Sequence, residues 1–146
     1  MKNRIVLITG GASGIGKAMV RMFADRGCQV IIFDVQDDKG EVLAKELCDQ
    51  RKKVVYKHVN LFDIDEIKSA YIWIKEQFGK LDYAMNNAGF GIPAKPLDEC
   101  TSEEVNKVIG ICLIAVTNCM IEEIKIMKEN GFGRIVNTAS GAGLLG

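Results

Sequence analysis

The chain alternates short apolar runs with amphipathic stretches. Arg4 to Gly10 ("RIVLITG") is a continuous β-branched run, the form of a strand buried on both faces. Ile15, Met19, Met22 and Phe23 then recur at helical spacing, and Gly27 sits where a glycine closes a helix. Val30 to Asp34 predicts a second strand, Val42, Leu43 and Leu47 a second helix, and Val54 to Val59 a third strand. Asp63 and Glu66 have capping-box spacing ahead of a helix with Ile67, Ala70, Tyr71, Ile74 and Phe78 on one face, and Gly79 closes it. Leu81 to Asn86 is the fourth strand. Thr101 and Glu104 form another capping box, opening a long helix that runs to "ENGFG". Arg134 to Thr138 is the fifth strand, and a glycine-rich loop carrying Ser140 follows it. Strand and helix alternating with short connections predict right-handed βαβ units, hence an α/β fold with a doubly wound parallel sheet in one domain over residues 1–146.

Composition narrows the class. The chain has 146 residues, 48% of them hydrophobic, which suffices for one domain with a core. Lys plus Arg and Asp plus Glu both count 19, without a long charge run, so neither nucleic acid nor a membrane surface is an expected partner. The apolar stretches fall short of the roughly 20 residues of a membrane helix, and the N-terminus runs into a strand rather than a cleavable signal. Cys28, Cys48, Cys100, Cys112 and Cys119 are scattered without a CxxC pair, which reads as reduced thiols in a cytoplasmic protein. The sole histidine, His58, has no cysteine or acidic cluster beside it, so no metal site is expected.

The chemistry concentrates in "TGGASGIG", Thr9 to Gly16, between the first strand and the first helix. Gly10 lets the chain turn off the strand. Gly14 and Gly16 remove side chains where a pyrophosphate approaches and where the helix packs on the sheet. The helix N-terminus offers unpaired N–H groups and partial positive charge to phosphates. No Lys-Ser/Thr pair follows Gly16, which disfavours a P-loop nucleotide hydrolase. Asp34 closes strand two, placed to accept hydrogen bonds from an adenosine ribose, and its charge would repel a 2′-phosphate. Ala12 and Ser13 supply no cation to hold one. NAD is therefore expected over NADP.

"TGGASGIG" is similar to the TGxxxGxG signature of the short-chain dehydrogenase/reductase family. "NNAG" at Asn86 to Gly89 resembles that family's second signature, and "GRIVNTAS" its fifth strand, with Ser140 at the catalytic serine position. The resemblance covers essentially the whole chain and implies a Rossmann-like fold of about five strands, shorter than the full family fold. It implies hydride transfer between a nicotinamide cofactor and an alcohol or carbonyl substrate. Gly10, Ser13, Gly14, Ile15 and Gly16 would line the phosphates and ribose, and Asp34 would hold the adenosine ribose. Asn60 and Leu61 would lie beside adenine, while Asn87, Ala88 and Gly89 would face the nicotinamide ribose. Ser140 would hydrogen-bond the substrate oxygen.

Two departures from the family pattern stand out. Cys112 takes the place of a helix asparagine that holds a water in the family's proton relay, and is expected to pack as a small apolar residue. The family's Tyr-x-x-x-Lys acid/base pair would fall beyond Gly146. Tyr71 and Lys75 share that spacing but read as an ordinary i, i+4 pair on a helix. The chain alone is therefore expected not to turn over. The alternatives are a non-catalytic dinucleotide-binding module, or a fragment that forms a homo-oligomer through the helix after Thr101.

Overall fold

The computed structural model describes residues 1–141, so the glycine-rich stretch from 142 onward lies outside the described residues. Five parallel strands form one sheet in the order β3-β2-β1-β4-β5: β1 Ile5–Thr9, β2 Gln29–Asp34, β3 Lys53–His58, β4 Tyr83–Asn86 and β5 Arg134–Asn137. The order reverses between β1 and β4, so the sheet is doubly wound and opens a crevice at the carboxyl ends of those strands.

The continuous apolar runs are explained by cover on both faces. Ile5 and Leu7 of β1, with Ile31 and Phe33 of β2, pack toward α3 (Ile64–Phe78) and α5 (Val116–Glu129). Their neighbours Val6, Ile8, Val30 and Ile32 pack toward α1 (Gly14–Asp25) and α2 (Asp37–Asp49). Period-two alternation thus serves two cores at once. Buried Asp82 joins the strand starts, accepting from the Ile5 N–H at 2.8 Å and from Arg4 at 2.6 Å.

Several elements differ from their sequence pattern. The buried stripe of α1 is Gly16, Val20, Phe23 and Ala24, whereas Ile15 and Met22 are exposed. Its register is set by the crossing of Gly16 over the loop below. In α2, Leu43 and Leu47 are buried but Val42 is exposed, because Gly40 takes the helix onto the Tyr56 ring. Asp63 caps α3 through the Asp65 and Glu66 N–H groups, but the Glu66 carboxylate turns to the Asn60 N–H, so the reciprocal half of the box is absent. The box of Thr101 and Glu104 is complete, and opens α4 (Ser102–Ile109). The long helix is not uniform: Gly110–Ala115 is a π-helical stretch between α4 and α5. No helix among the described residues is long and apolar enough to cross a membrane.

Candidate functional site

The loop after β1 is built around close backbone approaches. Gly10 has φ +65°, and a Cβ there would stand 2.8 Å from the Ala88 Cα. A Cβ on Gly16 would overlap the Gly10 carbonyl oxygen. Gly14 has φ +51° and nothing within 4 Å of its missing Cβ. Ser13 is the N-cap of α1 but its side chain makes no cap bond, and the first turn carries no acid. The leading N–H groups of α1 thus remain available to an anion.

Asp34, 7% exposed, closes β2 beside this loop. Its Oδ2 accepts from the Ala12 N–H at 2.9 Å, while its Oδ1 accepts from Val35 N–H at 2.8 Å and Gln36 N–H at 3.1 Å. The carboxylate therefore already ties the glycine loop to the end of β2, and Oδ2 keeps one lone pair for a ligand hydroxyl. Gln36 Nε2 reaches both Asp34 Oδ1 and Ser13 Oγ, and Lys39 donates to Gln36 Oε1 at 2.7 Å. Below them, His58 Nδ1 lies 2.7 Å from Asp37 Oδ1, and the Tyr56 hydroxyl 2.6 Å from the same oxygen. Hydrogen bonds from Tyr56 and then His58 hold the Asp37 carboxyl below its ordinary value, while burial and the Asp37 carboxylate push the Tyr56 phenol up.

The tip of β4 is fastened to the tip of β1. Thr9 Oγ1 accepts from both the Asn87 and Ala88 N–H groups at 3.0 Å, and Asn87 Nδ2 donates to the Thr9 and Gly10 carbonyls at 3.3 and 3.4 Å. Across the opening, Asn60 Oδ1 accepts from the Phe62 N–H at 3.1 Å. The Phe62 and Phe90 rings face each other with centroids 6.5 Å apart.

These parts enclose a cleft of about 630 Å³. Gly10, Ser13, Gly14, Ile15, Asp34, Asn60, Leu61, Asn87, Ala88 and Gly89 all line it. Gly16 does not; it lies buried where α1 crosses the loop. Sequence reasoning missed Gln36, Phe62, Phe90 and Ile111 in the lining, and Thr9 as the clasp beneath it. The threonine belongs to the loop motif itself; the two phenylalanines follow their motifs directly but carry no spacing signal.

The remaining candidates divide. Ser140 is exposed just past β5 and stands outside the described lining. Thr138 on the same segment donates through its N–H to the Asn86 carbonyl at 2.9 Å. Cys112, expected to be packed, is exposed in the π-helical stretch, with Sγ 3.7 Å from the Phe90 carbonyl. The extra residue per π turn rotates it out toward the rim of the cleft. Tyr71 is buried and donates to Glu123 at 2.8 Å, and Lys75 pairs with Glu129 at 2.7 Å, so neither faces the cleft. No group of His, Cys, Asp and Glu among the described residues could hold a metal ion.

Comparison with known proteins agrees with this geometry. The family model described as short chain dehydrogenase matches residues 4–146. "Short-chain dehydrogenase reductase 3b" of Arabidopsis thaliana is 35% identical over 141 residues, 96% of this chain and 54% of its own length. "Momilactone A synthase" of Oryza sativa subsp. japonica is 33% identical over 138 residues, 94% of this chain and 50% of its own length. The chain thus spans about half the length of the curated relatives it matches. A solved short chain dehydrogenase/reductase from Burkholderia phymatum, in complex with NAD, superposes with a TM-score of 0.93 at 27% identity, covering 99% of this chain and 51% of that one.

Proposed function

This chain belongs to the short chain dehydrogenase family, and we propose on that premise that residues 1–146 hold the nicotinamide dinucleotide of an oxidoreductase acting on an alcohol or carbonyl substrate. The observation that carries the reading is the cleft at the sheet's reversal point, where the glycine loop, Asp34 and the Asn87–Gly89 tip converge.

The residues fit such a group. The free N–H groups of α1 and the bare Gly14 make a phosphate cradle. The spare lone pair of Asp34 suits an adenosine ribose hydroxyl. Its negative charge, with no cation on Ala12 or Ser13, favours NAD over NADP. Asn60 and Leu61 would flank adenine, although Asn60 Oδ1 already holds the Phe62 N–H and offers only its second lone pair. Asn87, Ala88 and Gly89 would face the nicotinamide ribose, with the backbone fixed by Thr9.

When bound, the nicotinamide ring supplies or accepts the hydride. Ser140 would hydrogen-bond the substrate oxygen on which charge develops. Proton transfer to that oxygen needs a positioned acid, and none of the three tyrosines is placed for it. Tyr56 is held by Asp37, Tyr71 by Glu123, and Tyr83 packs edge-on against Phe132. We therefore expect binding without turnover from residues 1–146 alone. The thiols, all free, suit a reducing compartment such as the cytoplasm. Exposed Ile109, Leu113, Ile114, Ile121 and Ile124 support self-association through α4 and α5.

Calorimetric titration of the chain with NAD and with NADP tests the cofactor reading. NAD should bind more tightly; equal or tighter NADP binding would remove the role given to Asp34.

A further inference from the structure

On the face of the sheet covered by α3 and α5, α5 carries a buried carboxyl group with no counter-ion among the described residues. Glu123 is 0% exposed, and no cation acts on it among the described residues. Its Oε1 accepts from the Tyr71 hydroxyl of α3 at 2.8 Å and its Oε2 from Asn86 Nδ2 of β4 at 3.1 Å. Asn86 spends its second amide proton on Asn137 Oδ1 of β5 at 3.0 Å. Asn86 immediately precedes Asn87–Gly89 in the cleft lining, and Asn137 immediately precedes the segment that carries Thr138 and Ser140.

We propose that Glu123 is a positioning residue, which holds Asn86 and through it Asn137, so that the two site-bearing segments keep one spacing. The chain of bonds is continuous from α3 to β5, and among the described residues Asn86 has no other side-chain partner: its Oδ1 is buried without one. If Glu123 let go, Asn86 would carry an unmet amide proton as well. The inference rests on the dinucleotide reading only for what the two segments are spaced to bind.

The group is built to work in both protonation states. The groups facing it are Tyr71 from α3, Asn86 from β4 and Cys119 from its own helix, with Asn137 of β5 behind Asn86. Ionised, Glu123 accepts from Tyr71 and Asn86. Neutral, it donates from Oε1 to the Tyr71 oxygen, and the Tyr71 hydroxyl proton turns toward Cys119, the neighbouring group that also acts on this phenol. Either way the Asn86 bond at Oε2 survives, while its strength follows the charge on the acceptor. Burial pushes the Glu123 carboxyl up to about 7, against the lowering effect of Tyr71 and Asn86.

The test pairs nuclear magnetic resonance with dinucleotide titration on the 146-residue chain. In the wild type, the side-chain amide signals of Asn86 and Asn137 should shift together with a midpoint near pH 7. In Glu123→Gln, which keeps an acceptor for Asn86 and a donor for Tyr71, they should be flat with pH and NAD affinity unchanged. Glu123→Ala should weaken NAD about tenfold, the order of one lost hydrogen bond. Asn137→Ala, at an exposed position of β5, should weaken it likewise. Asn86 and Asn137 signals that ignore pH, or that titrate unchanged in Glu123→Gln, overturn the proposal whether or not NAD binds. Absence of NAD binding in every form, with the amide signals titrating as expected, would remove the dinucleotide reading and leave the linkage standing.

Discussion

Replacing Gly10 and Gly14 by alanine, one at a time, separates two reasons for having glycine in the loop. Both residues adopt left-handed backbone, φ +65° and +51°, and that conformation costs an alanine ~1–2 kcal/mol. Stiffening of the unfolded chain works the other way, removing ~0.4–1 kcal/mol of that loss. At Gly14 the new methyl meets nothing within 4 Å, so no steric cost is added and the net loss should stay near ~1 kcal/mol. At Gly10 the methyl would lie 2.8 Å from the Ala88 Cα, which is backbone and is pinned through Thr9. Overpacking of that kind adds ~1–3 kcal/mol, for a total near ~2–4 kcal/mol. Binding should rank the other way relative to stability. The Gly14 methyl projects into the phosphate cradle and should weaken NAD far more than its small stability loss suggests. Urea unfolding and calorimetric titration of the two variants provide both numbers. Equal destabilisation within about 0.5 kcal/mol would refute the close-contact argument at Gly10. Wild-type NAD affinity in Gly14→Ala would refute the placement of phosphate over this loop.

Further outcomes follow from individual residues. Asp34→Asn should narrow any preference for NAD, and it should also destabilise by ~1–3 kcal/mol, because an amide NH₂ facing Ala12 sets donor against donor. Asp34→Ala loosens the same loop, so the asparagine variant and its unfolding curve are needed to separate charge from anchoring. The Glu123 carboxyl rises from an ordinary 4.5 to about 7 in the folded chain, so folding takes up a proton between those values. Its stabilising contribution is complete below pH 4.5 and is lost as pH rises through about 7. The loss is at most ~3 kcal/mol at 1.36 kcal/mol per unit. Chemical unfolding as a function of pH should therefore show Glu123→Gln overtaking the wild type toward pH 8, and parallel curves would contradict the neutral buried state. Leu113→Asp with Ile121→Asp should shift any self-associated species toward monomer in light scattering. An unchanged mass would move the contact off these helices.

Much of the fold was legible because the strands are long in apolar residues and the caps are local. Arg4 to Gly10 and Val30 to Asp34 declare themselves as doubly covered strands, and the Thr101–Glu104 box opens α4 where the letters place it. The cleft was legible for the same reason: its residues sit at strand ends, where motif and geometry coincide. What escaped depends on packing at a distance. Nothing in "IEEI" distinguishes Glu122, which pairs with Lys125, from Glu123, which is sealed in the core. That difference is created by the pitch of α5 against Tyr71 and Asn86. The π-helical stretch, which turns Cys112 outward, likewise has no local signal beyond Gly110, whose bare Cα lies against the Phe62 ring. Glu66 spacing suggested a full box, but the Asn60 N–H competes for it more directly.

The single hydroxyl of Thr9 accepts from two successive amides of another strand's tip. Before β1 and β4 have paired, the β4 tip lacks this clasp, and the glycine loop has only its tie to the end of β2. The cleft is therefore not a pocket decorated onto a finished sheet. It comes into being in the same cooperative event that closes the sheet, and in the native ensemble its floor opens only when those two central strands part.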